Sequence, residues 1–97
     1  MKGIKLVELY EQPTQKNGKW VLREIVVNPD YVVCLRPDHR ATSLLAEGIL
    51  PEGLDERQEF TKIQMNRGVG GLDIVVVGAL ALIETKLSVQ QRQLLKG

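Results

Sequence analysis

The chain holds few of the residues that most often carry chemistry. There is one cysteine, Cys34, and one histidine, His39, in 97 residues. A single cysteine excludes an internal disulfide framework, and a single histidine excludes a multi-histidine metal site. Aromatic residues are scarce: Tyr10, Trp20, Tyr31 and Phe60 are all there are, so the core must be aliphatic. No apolar run approaches the roughly 20 residues that a transmembrane helix needs. The opening Met1-Lys2-Gly3-Ile4-Lys5 lacks an apolar secretory stretch, and a cytoplasmic protein without membrane attachment is expected. Neither sign of charge dominates, with 13 Lys plus Arg against 12 Asp plus Glu and a net charge of +1.

Aliphatic residues are plentiful. Leu, Val, Ile and Phe make up about a third of the chain, well above the level at which a sequence fails to fold. The length fits one domain over residues 1–97. A domain of this size buries only about 60–65% of its unfolded surface, which favours association.

The pattern along the chain is mostly that of strands. In residues 2–10, Ile4, Leu6 and Tyr10 share one parity with Glu8, and Val7 and Leu9 take the other. Asn17-Gly18 between apolar segments predicts a hairpin, and Lys19 to Val27 its returning strand. Asn28-Pro29-Asp30 predicts a turn, with Asn28 capping it and Pro29 presetting φ. Tyr31 to Leu35 reads as a buried strand ended by Pro37. Residues 36–58 form a long connection, with one helical turn capped by Thr42 or Ser43 and closed by Gly48. Glu59 to Arg67 and Leu72 to Val77 are two further strands around a glycine-rich break. Residues 79–87 fit a short helix or a sixth strand, and Ser88 fits the cap of a last helical turn. About five strands in so short a chain predict an all-β fold, a small antiparallel barrel.

Few residues offer catalysis. Cys34 and His39 are five apart with Asp38 beside the histidine, the residue types of a nucleophile and its base. Within an apolar strand, a cysteine serves as a small hydrophobe, and no enzyme activity is expected. Asp55, Glu56 and Glu59 read as solvated acids on a loop, so no metal is expected. Gly68-Val69-Gly70-Gly71 lies between strands with no Lys-Ser/Thr after it, which is a tight turn and not a phosphate loop. Basic residues cluster at Arg36, His39 and Arg40, with Arg67 expected near them in space. Residues 41–60 hold five acidic side chains and one basic, which opposes a nucleic-acid stripe there. Leu44, Leu45, Ile49, Leu50 and Leu54 are more apolar than an irregular segment needs, and either close one barrel end or meet another subunit.

The segment Lys62-Ile63-Gln64-Met65-Asn66-Arg67-Gly68, followed by Leu72 to Val77, resembles the second half of an Sm motif. The resemblance to Sm-like (LSm) proteins implies a five-stranded SH3-like barrel, with a short helix near the C-terminus and the long 36–58 loop added. It implies a closed homo-oligomeric ring in which the edge strand Leu72–Val77 pairs with a neighbour, through Leu72, Ile74 and Val76, with Leu44, Leu45 and Ile49 beside them. It also implies single-stranded RNA around a central opening, held by Asn66, Arg67 and Gly68 with Arg36, His39 and Arg40, and no cofactor. The sequence departs from that family at Asn66, where an apolar residue is usual, and in lacking both an N-terminal helix and an Asp…Met-Asn loop. The match therefore supports fold and assembly better than RNA binding. The alternative is a barrel serving as an assembly or protein-interaction module without RNA. The flagellar FlbD-type protein is similar too, in its strand, Asn-Pro-Asp-like turn and strand.

Overall fold

A computed structural model describes residues 3–13, 19–66, 68 and 70–96, with residues 89–96 described by their backbone. Strands β1 (Ile4–Gln12) and β2 (Lys19–Val27) are followed by a one-turn 3-10 helix at Pro29–Tyr31 and by β3 (Val32–Pro37). Helix α1 (His39–Ala46), β4 (Phe60–Asn66), β5 (Gly71–Val77) and helix α2 (Leu80–Lys96) complete the chain. Asn17-Gly18, the predicted β1–β2 turn, lies outside the described residues.

The strands form one antiparallel sheet in the order β2-β1-β5-β4-β3. The predicted fold is thus met as a small, mainly β structure of five antiparallel strands, but the sheet is open and does not close into a barrel. Its two end strands, β2 and β3, are joined only through residues 28–31. A link of that length spans at most about 18 Å, against about 19 Å across five flat strands. The sheet must therefore curl. Asn28 fixes this link as its sequence predicts: Oδ1 accepts the Asp30 N–H at 3.0 Å, and Pro29 occupies the first helical position.

Apolar side chains pack on both faces. On one face Leu6, Val27, Ile63, Ile74 and Val76 meet Ile83 and Leu87 of α2. On the other, Leu9 and Phe60 meet Ala41 of α1 and Leu50, with Leu44, Leu45 and Leu54 partly buried around them. The strand period of two explains the division: Ile4, Leu6 and Glu8 point one way from β1 and Leu9 the other.

Three expectations are corrected here. The strand Leu72–Val77 is not an edge: β5 lies third in the sheet, paired with β4 along its length and with β1 at Glu8 opposite Val76. Residues 36–58 are not one irregular loop. Asp38, just after Pro37, caps α1 by accepting the Ala41 N–H at 3.0 Å, four residues before the predicted cap. Gly48, at φ +74°, closes that helix as expected, with its N–H on Leu45 O at 3.1 Å. Residues from Leu80 onward form one helix of 17 residues, so Ser88 lies inside it and caps nothing.

The β5–α2 junction is tight. Gly78 has φ +136°, its N–H reaches Glu59 O at 2.9 Å, and its carbonyl accepts the hydroxyl of fully buried Thr61 at 2.9 Å. A Cβ at Gly78 would stand 2.9 Å from Ile83 Cδ1.

Candidate functional site

A groove of about 460 Å³, within the range of ligand sites, lies against strands β1, β2 and β5. Its lining takes Ile25 to Val27 from β2 and Met65 from β4, besides Glu8 to Glu11 from β1 and Leu72 to Val75 from β5. Between β1 and β5 the register pair is Glu8 with Val76.

Glu8 is the polar centre of the groove. It points to the apolar face of β1, and its side chain is 8% exposed. Arg23, its direct cross-strand partner, donates Nε to Glu8 Oε1 at 2.6 Å. The Arg23 guanidinium also lies 3.6 Å from the centre of the Tyr10 ring. The hydrogen bond to Glu8, above all, raises the Arg23 pKa above its usual value. Among the described residues Glu8 Oε2 accepts no hydrogen bond. Ile25, Met65 and Ile74 supply apolar wall beside this pair. The sequence does carry a signal for Glu8, a carboxylate on the apolar parity of a strand, but its partner is visible only through the β1–β2 register.

The residues expected to bind RNA fall into two groups. Asn66 ends β4, with its Oδ1 accepting the Gly68 N–H at 2.7 Å. Arg67 lies outside the described residues. Arg36 stands opposite Lys62 on β4, four residues before Asn66. At about 3.3 Å per residue, that separates the hairpin tip from Arg36 by about 13 Å along the strand. His39 and Arg40 begin α1 beyond the far end of β3, with Arg40 5.6 Å from the Trp20 ring. The sheet therefore does not bring Asn66 and Gly68 to Arg36, His39 and Arg40.

The expected interface residues divide as well. Ile74 and Val76 are in the first core, with Val76 fully buried, while Leu72 is exposed. Leu44 and Leu45 pack partly buried on the second core, and Ile49 is exposed.

Cys34 is half-buried, not enclosed as its apolar neighbours predict. A register shift between Val32 and Cys34 re-aims this part of β3. Its thiol donates to Gln64 Oε1 at 3.1 Å and accepts from Arg36 at 3.6 Å. No hydrogen bond links Cys34 to His39 among the described residues. Asp55 accepts the Arg57 N–H at 2.8 Å and pairs with that exposed side chain. Among the described residues no three His, Cys, Asp or Glu side chains are grouped to hold a metal, and no helix is long and apolar enough to cross a membrane.

Comparison with protein-family models, with curated proteins and with solved structures finds no match to this chain.

Proposed function

We propose that the protein is an assembly module that pairs with a second copy of itself along the outer edge of β2. The observation that carries this reading is the contrast between the two ends of the sheet. β2 is a nine-residue edge strand without proline or register shift. The opposite edge, β3, is interrupted by a shift between Val32 and Cys34 and ends in Pro37. Bulges and prolines are the devices that keep an edge from pairing, and β2 has neither. Val7, Leu22 and Val26 lie exposed on one face at or beside this edge. Pairing β2 with another β2 continues the sheet, sets Leu22 and Val26 beside side chains of the second copy and closes at two copies by a two-fold axis. It replaces the ring that an edge at β5 implied.

Native mass spectrometry of nuclease-treated protein tests this. A dimer that becomes a monomer in the Leu22→Lys, Val26→Lys variant supports it. A monomeric wild-type protein at 100 µM sinks it, as does a dimer that the double variant leaves intact (the concentration being about one at which edge-strand dimers of micromolar Kd are formed).

One observation favours a second reading, single-stranded RNA binding. Arg36 and Lys62 face each other across β3 and β4 with no ion pair to either among the described residues. Two adjacent cations without a carboxylate partner suit a phosphate contact. Binding of an oligouridine that weakens with salt, and weakens further in Lys62→Gln, is the outcome this reading requires.

A further inference from the structure

We infer that the groove over β1 binds a free amino acid with an aliphatic side chain, its ammonium on Glu8 and its carboxylate on Arg23. This goes beyond self-association, because the site lies on a face of the sheet and the pairing proposed above uses the outer edge of β2.

Strand register assembles the site. Directly paired residues of antiparallel strands point to the same side of a sheet, and so do residues two apart on one strand. Glu8 pairs with Arg23 on β2 and with Val76 on β5, so Ile25, Ile74 and Leu72 share its face. Met65 joins them as the partner of Leu72. All of these line the groove. They come from four neighbouring strands, β2, β1, β5 and β4. The groove thus lies across the surface of the sheet and leaves the ladder beneath it intact. Helix α2 packs on this face against β3, β4 and the 3-10 turn, and contributes no lining residue among those described.

Charge selects the ligand. Glu8 is buried, with Oε1 taken by Arg23 Nε and Oε2 accepting no hydrogen bond among the described residues. A buried carboxylate oxygen without a donor is costly, and a ligand N–H removes that cost. Arg23 is half-exposed and held over the Tyr10 ring at 3.6 Å. It spends Nε on Glu8 and has no second carboxylate among the described residues, so its Nη groups remain for an anion. The two charges cancel. A ligand with a single charge is attracted by one of them and opposed by the other. A zwitterion meets both, with its ammonium donating to Oε2 and its carboxylate accepting from Nη. An α-amino acid carries these two groups on one carbon, side by side as Glu8 and Arg23 are. The rest of the ligand meets Ile25, Met65, Leu72 and Ile74, which favour an aliphatic side chain. Glu11 and Asp73 also line the groove, but by alternation their side chains belong to the opposite face.

The test is a nitrogen-15 NMR titration of the intact protein with leucine. Isoamylamine and isocaproate, which each lack one of its two charges, are the controls. Leucine should move the amides of residues 8–10, 23–27 and 72–74, and should bind about tenfold or more tighter than either control. Glu8→Gln keeps an acceptor for Arg23 Nε but removes the negative charge. It should reverse the order, so that isocaproate binds tighter than leucine, which a merely structural role for Glu8 would not produce. Leu72→Asn alters an exposed side chain and should weaken leucine without moving the order of the three ligands; it carries the test should the spectrum of Glu8→Gln show an unfolded chain. No shifts at millimolar leucine, shifts confined to other residues, either control binding the wild type as tightly as leucine, or a leucine affinity unchanged in the folded variants would each overturn the inference.

Discussion

Arg23 holds the carboxylate of Glu8 at 2.6 Å in the only ion pair, among the described residues, with a buried member. Strand β2 thereby neutralises a charge that β1 would otherwise carry into the first core. Arg23→Met leaves that carboxylate without a partner and should destabilise the protein strongly. Lys5→Met breaks an exposed pair with Glu24 at 3.7 Å and should change stability little. Glu8→Leu added to Arg23→Met should recover much of the loss, because removing both charges avoids the desolvation penalty. Urea denaturation of the four proteins measures this. Equal effects of Arg23→Met and Lys5→Met would show that the Glu8 pair does not matter.

Gly78 is predicted to resist substitution. At φ +136°, and with Ile83 Cδ1 2.9 Å from where a Cβ would stand, Gly78→Ala suffers both backbone strain and a clash. The cost should be about 1–3 kcal/mol. A thermal or urea midpoint within error of the wild type would contradict the tight junction between β5 and α2.

Thr61→Val tests the same junction from the sheet side. The two side chains are close in shape, but valine cannot donate to the Gly78 carbonyl, which Thr61 Oγ1 meets at 2.9 Å. Leaving that buried carbonyl unpaired should cost about 1–3 kcal/mol. A stabilised Thr61→Val protein would show that the carbonyl finds another donor.

Asp38→Ala should fray α1. It removes the side chain that caps the Ala41 N–H, at a cost of about 1 kcal/mol. Because α1 covers Leu9 and Phe60, fraying also exposes the second core. Hydrogen exchange should speed up first in residues 39–46 and leave β4 and β5 protected. Uniform acceleration across the sheet would mean that α1 is not a separable unit.

Oligomeric state carries the functional prediction. A dimer lost in the Leu22→Lys, Val26→Lys variant is expected by native mass spectrometry, with no change in mass on nuclease treatment. The substitutions lie on exposed side chains, so far-ultraviolet circular dichroism should be unaltered.

What depends on neighbouring residues could be read before any strand was paired. Asn28-Pro29-Asp30 makes its turn because an Asn side chain and a Pro ring act on the next two residues. Lys19 to Val27 forms its strand with the expected ends, and Gly48 closes a helix. The parity of Ile4, Leu6 and Glu8 marks the inward face of β1. The Asp38 N-cap was missed in favour of Thr42 or Ser43, although Arg40, Ala41, Leu44, Leu45 and Ala46 all favour helix. Beyond the β1–β2 pair, tertiary structure alone decided which strands meet. Placing β5 between β1 and β4 turned Ile74 and Val76 into core, because burying an apolar strand on both sides is worth more than leaving it at an edge. The same sheet order set Arg36 opposite Lys62, four residues along β4 from Asn66, and brought Arg23 to Glu8 across 15 residues of sequence. Such contacts follow from long-range strand register, which no local preference encodes.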